Sequence, residues 1–297
     1  MVAASPSPVS SAPPLRFELA HGITIAADAY GNPADQPVVF LHGGGQTRHA
    51  WGEAANQLGT MGFYAVSVDL RGHGESSWDP DGNYHASGFI QDLLAVVERL
   101  EDRPILVGAS MGGITALLAE TAAPESIAKG IVLVDVTPRL QKQGVVRIIE
   151  FMRGGEDGFA SLDDAADAVA RYLPHRQRPK DLTGLSKNLR RGDDGRYRWH
   201  WDPRILKAWD PASFTKEEGD EIIQERLDAS ARLRVPTLLV RGRMSDVVTE
   251  DDAHEFLGIA SHAEYVDLKG AAHMVAGDKN DVFIEVVSDF IRRNFGS

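Results

Sequence analysis

Cysteine is absent from all 297 residues. That excludes disulfides, thiol nucleophiles and cysteine-ligated zinc. It also fits a reducing compartment, so a cytoplasmic location is the expectation. Basic residues are the scarcer charge, 31 Lys and Arg against 43 Asp and Glu, and the formal net charge is −12. Such a field repels polyanions, which disfavours DNA and RNA as partners. No apolar run approaches the roughly 18–20 residues that a membrane span requires. The first 14 residues, MVAASPSPVSSAPP, lack both a basic n-region and a continuous apolar stretch. Residues 1–14 therefore read as a disordered tail and not as a signal peptide.

What is present is ordinary for a folded domain, with 43% hydrophobic and 25% charged residues. The length suits one large α/β domain with room for an insertion. Residues 15–30 read as two strands joined near His21-Gly22. PVVFLHGGG (37–45) is a short apolar run ending in glycines, as a buried parallel strand ends in a βα loop. A helical stretch follows at 48–60. The alternation then repeats: a strand ending at Asp69, the amphipathic ASGFIQDLLAVVERL, the strand PILVGAS, the helix GGITALLAE and the strand GIVLVDVTP. Strands alternating with helices predict a mostly parallel central sheet with right-handed crossovers, an α/β fold.

That rhythm stops after Pro138. Residues 139–230 hold helical pieces such as SLDDAADAVARYL, separated by Gly, Pro and charged turns. It resumes with VPTLLVRGR (235–243), AEYVDL (263–268) and the terminal helix DVFIEVVSDFIRRNF. The expected organisation is a core of 15–138 and 231–297, with 139–230 as a mainly helical cap insertion. No internal repeat is evident.

Gly108-Ala109-Ser110-Met111-Gly112 fits G-x-S-x-G and lies between a predicted strand and a predicted helix. Small residues two before and two after the serine let a strained elbow close and expose the hydroxyl. The helix that follows directs its positive dipole end toward developing negative charge. A nucleophilic serine also needs a base, an acid to orient the base, and N–H donors for the oxyanion. Of ten histidines, His42, His73 and His273 sit at strand ends. His42 opens HGGG and His73 lies in the tight turn RGHGES, so both read as loop-shaping. His273, in KGAAHMVAGD between the last strand and the terminal helix, is the candidate base.

The acid lies between serine and histidine in chain order for this architecture. Asp246, in RGRMSDVVTED, is the first choice. Asp135, at the end of GIVLVD, is the rival. Glu250, Asp251 and Asp252 read as first-turn helix residues, where negative charge is favoured. The oxyanion donors are expected to be the N–H of Met111, next after the nucleophile, and that of Gly44, with Gly45 as runner-up.

Between 196 and 209 stand Trp199, Trp201 and Trp209, three of the five tryptophans. Extended backbone puts Tyr197, Trp199 and Trp201 on one face. They either line a pocket over Ser110 or anchor the insertion, and the two readings stay open. Residues 139–210 carry 15 Lys and Arg against 11 Asp and Glu. Ion pairs between this basic stretch and the acidic remainder are the expectation.

Taken jointly, HGGG (42–45), DLRGHGES (69–76), GASMGG (108–113), GRMSD (242–246) and GAAH (270–273) resemble the α/β-hydrolase fold family. Order and spacing both agree over roughly 15–137 and 231–297. The resemblance implies a Ser110–His273–Asp246 triad, Ser110 attacking an acyl carbon, and a lid role for 139–230. Epoxide hydrolases and haloalkane dehalogenases of this fold carry Asp at the elbow, so Ser110 argues against both. SMGG is also similar to the elbow of C–C hydrolases that cleave ring-fission products. Those often carry Trp after the catalytic histidine, where this chain has Met274. Haloperoxidase-like and perhydrolase-like esterases share the triad. The implied activity is a serine hydrolase of carboxylic esters or related small acyl compounds, working through an acyl-enzyme without metal or organic cofactor. A C–C hydrolase of diketone-like substrates and a triad-bearing binding or signalling protein are the alternatives. The implied partner is a small-molecule substrate, and a homodimer is left open.

Overall fold

A computed structural model describes residues 14–178, 180–273, 275 and 280–296. All but one residue of the expected tail, and Met274, lie outside them. Eight strands form one sheet in the order β1-β2-β4-β3-β5-β6-β9-β10. They are β1 (Leu15–Glu18), β2 (Thr24–Tyr30), β3 (Gln36–Leu41), β4 (Phe63–Val68), β5 (Ile105–Ala109), β6 (Gly130–Val134), β9 (Thr237–Gly242) and β10 (Glu264–Leu268). The first two strands form a hairpin at Gly22, whose φ of 83° is a conformation glycine adopts without strain. β1 and β2 pair antiparallel and β2 meets β4 antiparallel, whereas every later pairing is parallel.

The central strands are apolar throughout because both sheet faces are covered. Side chains alternate across the pleat. Val38, Phe40, Ile105, Val107, Val132 and Val134 meet a cluster containing Trp51, Leu58, Phe283 and Phe290. Those residues come from or adjoin α1 (Gly52–Thr60) and the last helix, here α10 (Asn280–Phe295). Val39, Leu41, Leu106, Leu133 and Leu239 face the opposite cluster. It is built on α2 (Ala86–Val97), α3 (Met111–Ala122) and α9 (Glu250–Ile259). Glu250, Asp251 and Asp252 do form the first turn of α9, and Thr249 and Asp252 cap it reciprocally.

Between β6 and β9 the chain forms α4 (Lys142–Arg153), α5 (Leu162–Tyr172), α6 (Thr183–Ser186), β7 (Leu189–Arg191), β8 (Tyr197–Trp199), α7 (Ile205–Trp209) and α8 (Lys216–Arg232). β7 and β8 make a short antiparallel pair that hydropathy alone did not signal. α8 packs against α3 and α9. Its last turns, around Ala229 and Leu233, join the core cluster on that face of the sheet.

Residues 139–230 are tied to the core by polar contacts of which only some are the expected ion pairs, since several of their arginines pair with their own aspartates. Arg190 donates to Gly74 O at 2.8 Å, Arg204 to Asp79 O at 2.7 Å, and Arg139 pairs with Glu255 at 2.9 Å. The most buried tie is Tyr84, whose hydroxyl donates to Asp202 Oδ2 at 2.6 Å and accepts from Asp79 N–H at 3.0 Å. Burial and the Asp202 carboxylate push this phenol well above its ordinary range, so it stays a donor. Tyr84→Phe takes the acceptor from the buried Asp79 N–H, while Asp202 Oδ2 keeps Arg204, and its expected cost is about 1–3 kcal/mol. Denaturant unfolding checks this; a midpoint equal to that of the parent contradicts it.

Candidate active site

Ser110 follows β5 and precedes α3, with φ 48° and ψ −116°. A positive φ is strained for a residue with a Cβ, and here the surroundings enforce it. Ser110 N–H donates to Val134 O at 3.2 Å, and Ile114 N–H donates to Ser110 O at 3.0 Å. The turn closes only over small residues. A Cβ on Gly108 would lie 2.5 Å from Gly112 O, and one on Gly112 would lie 2.4 Å from Leu41 O. The G-x-S-x-G spacing therefore has a steric cause in this molecule.

The loop after β3 runs alongside. Gly43 lies where a Cβ would sit 3.5 Å from Ser110 Cβ, and the space beside Gly44 is open. Met111 N–H belongs to the first turn of α3, where no carbonyl of the helix reaches it. Gly44 and Met111 both line the cavity that contains Ser110. Gly45 also lines it, but its N–H donates to His73 Nε2 at 3.1 Å. That donor is engaged, which removes Gly45 as an oxyanion contact.

The two loop histidines staple this region. Leu70 N–H donates to His42 Nε2 at 3.0 Å, and the other ring nitrogen of His42 lies 2.8 Å from Gly43 O. His73 Nδ1 lies 3.1 Å from Arg71 O. Each ring thus accepts at Nε2 and donates at Nδ1, which only the neutral imidazole can do. Burial lowers His42 from 6.5 to about 4, and burial together with its neighbour His42 lowers His73 to about 3. Their rings meet edge to face, 4.9 Å apart.

His273 follows β10 and a turn at Gly270, whose φ is 79°. The turn rests on the β9 end, where Met244 N–H donates to Ala271 O at 2.9 Å. His273 Nδ1 lies 2.7 Å from Asp135 Oδ2. Asp135 is fully buried. Its φ is 48°, and its N–H donates to Val240 O at 2.7 Å, which fixes the turn after β6. An ionised carboxylate only accepts, so Nδ1 carries the proton and Nε2 is left as the basic nitrogen.

The structure brings the rival, Asp135, to His273 and not the first choice, Asp246. Asp246 pairs instead with Arg147 at 2.8 Å, with both side chains about half exposed (42% and 50%). The reason is local. After β9 the chain turns at Gly242–Ser245, directs Ser245 inward and buries Val247 and Val248, so Asp246 faces outward. The signal for Asp135 was its position directly after five buried apolar residues, where a charged side chain persists only with partners.

Ser110 and His273 border one cavity of about 390 Å³. Its other walls are largely apolar and come from both sides of the fold: Ile114 from α3, Ile149 and Met152 from α4, and Leu173 after α5. Phe151 stacks on Tyr172 with ring centroids 4.2 Å apart and touches Trp199. Trp199 and Trp201 both line the cavity. Trp201 also bridges to His73, and Asp202 N–H donates to Gly72 O at 2.8 Å, whereas Trp199 pairs with Leu189 inside the insertion. Among the described residues, no group of three or more His, Asp or Glu side chains is arranged to hold a metal ion. Nor is any of their helices long and apolar enough to cross a membrane.

A parallel sheet carrying a strained serine elbow, a loop histidine and a buried acid at one edge defines a hydrolase of the α/β type. The model of the alpha/beta hydrolase family matches residues 38–286, and the chain belongs to that family. Among its relatives is an esterase of Mycobacterium tuberculosis, Rv0045c, 33% identical over 274 residues, covering 89% of this chain and 85% of that protein. A solved structure of that esterase matches with a TM-score of 0.72 at 31% identity, over 95% of this chain and 93% of the other. The 3-hydroxybutyrate-oligomer hydrolase of Cupriavidus necator is 26% identical, covering 84% of this chain and 86% of that protein. E-2-(acetamidomethylene)succinate hydrolase shares the fold, with a TM-score of 0.81 at 21% identity over 94% of this chain and 98% of that one.

The two stapling histidines give a pH prediction. Each has a folded pKa below its ordinary 6.5, so the unfolded chain binds more protons between that value and about 4. Their contribution is fully present above 6.5 and is lost as pH falls through this window. Urea unfolding at pH 7.5 and at pH 5 is expected to show lower stability at pH 5. His73→Gln, which keeps an acceptor but does not titrate, is expected to flatten that difference; an unchanged slope contradicts the assignment.

Proposed function

We propose that this chain is a serine hydrolase that cleaves a carboxylic ester or a related small acyl compound through an acyl-enzyme. The observation that carries the reading is the His273–Asp135 hydrogen bond, set beside a strained Ser110 on the wall of one apolar cavity. The esterase and ester-oligomer hydrolase among its relatives support the same reaction class.

Ser110 Oγ attacks the carbonyl carbon while His273 Nε2 takes its proton. Asp135 holds the Nδ1–H tautomer and stabilises the imidazolium. The N–H groups of Met111 and Gly44 receive the oxyanion, where fixed dipoles in an apolar site act strongly. The C–O bond breaks as His273 returns the proton to the leaving alcohol. Water, deprotonated by His273, then attacks the acyl-enzyme, and Ser110 leaves with the proton. The stretch 139–215 serves as the lid. Its apolar side chains, among them Ile149, Met152 and Leu173, favour acyl groups with an apolar chain that they can cover.

Fluorophosphonate labelling with p-nitrophenyl ester turnover tests this. Ser110→Ala is expected to lose both the label and the turnover. Asp135→Asn is expected to lower kcat by about 10⁴, as loss of the correct tautomer does in such triads. Asp246→Asn is expected to leave kcat within about twofold, since exposed ion pairs contribute little. Equal labelling of Ser110→Ala rejects the nucleophile, and the reverse order of the two Asn variants returns the acid role to Asp246.

A further inference from the structure

The Asp135 carboxylate has a third partner besides His273 and the backbone. Oδ1 accepts from Gly242 N–H at 2.9 Å. Oδ2 accepts from His273 Nδ1–H at 2.7 Å and from Ser245 Oγ–H at 2.5 Å. The direction of the serine bond is forced. Val247 N–H and Val248 N–H donate to Ser245 Oγ at 3.1 and 3.2 Å. A hydroxyl has two acceptor positions and one proton. With both positions taken, the proton is what remains, and an ionised carboxylate can only accept it.

We infer that Ser245 is a positioning residue of the hydrolytic site, its hydroxyl fixing the Asp135 carboxylate and sharing Oδ2 with His273. The inference rests on the proposed role of Asp135 as the acid. Two amides polarise the hydroxyl, which strengthens its own donation. On a fully buried carboxylate, each donor favours the charged form and restricts the rotamer. Two donors on one oxygen also divide its charge. Ser245 thus tempers the pull of Asp135 on the imidazolium while it holds the oxygen where Nδ1–H meets it. The β9 loop, from which the family resemblance implied a carboxylate, supplies a hydroxyl instead and turns its own Asp246 outward to Arg147.

The pH dependence of this arrangement has few other sources. Facing His273 are Asp135 from the end of β6 and, through it, Ser245 from the β9 loop. Among the described residues, Tyr172 and Arg176 are the other titratable side chains that line the same cavity. Neither contributes to the Asp135 hydrogen bonds.

Ser245→Ala, Ser245→Thr and Asp135→Asn are compared in the full chain by ester kinetics across pH, with thermal unfolding alongside. Ser245→Ala is expected to lower kcat by about 10- to 100-fold, as loss of a hydrogen bond to a charged group does, with KM nearly unchanged. Its acid limb is expected to move to higher pH, because the less-shared Oδ2 stabilises the imidazolium more. Ser245→Thr, which keeps the hydroxyl, is expected to restore most of kcat and the parental limb. If Ser245→Ala keeps both kcat and its pH profile while Asp135→Asn is inactive, the Ser245 role is wrong and the acid stands. If Ala and Thr are equally impaired with an unmoved limb, the residue acts only through packing and the proposal fails. If Asp135→Asn keeps parental turnover, the acid assignment itself fails and takes this inference with it.

Discussion

The hydrogen bond between His273 and the buried carboxylate of Asp135 is the interaction around which the rest of the site is built. A carboxylate removed from water is costly unless its lone pairs are satisfied. Here Gly242, Ser245 and His273 satisfy them, and they come from the ends of β9 and β10. The single charge therefore fastens three neighbouring strand ends of a parallel sheet. The same fastening gives His273 one tautomer and one orientation. The contacts that satisfy the carboxylate also orient the imidazole, so the carboxylate cannot be moved along the chain without rebuilding its donors.

A second set of contacts governs the facing loop. His42 and His73 are kept neutral by burial, and each uses both ring nitrogens on backbone groups. They hold the 42–45 loop against the 69–74 turn, leaving Gly44 facing open space while engaging the N–H of Gly45. The same turn pairs with residues 200–202, so the stretch over the cavity and the loop under it share one support. Trp201 forms part of the cavity wall for that reason, its backbone bridging to His73, while Trp199 is held beside it by its pairing with Leu189.

Much of this was legible in the sequence. Short apolar runs ending in turn residues marked the core strands, because a sheet covered on both faces leaves few places for polar side chains within it. The elbow at Ser110 was legible because its turn demands small residues at the offsets of Gly108 and Gly112. The choice between Asp135 and Asp246 was not. Both follow strands at the same sheet edge, and the outcome turned on where the β9 loop sends Ser245 and Val247. The β7–β8 pair was equally hidden: three residues in each strand carry too little alternation to stand out, and the partner lies across a turn.

The sequence by itself determined the α/β alternation, the position of the strained serine and that of His273 in the loop after the last strand, since each depends on local spacing and on residue size. The tertiary structure alone decided which carboxylate meets His273, which glycine N–H remains available, and which side chains close the cavity. These depend on loops far apart in the chain satisfying one another's hydrogen bonds, and no local pattern encodes that agreement.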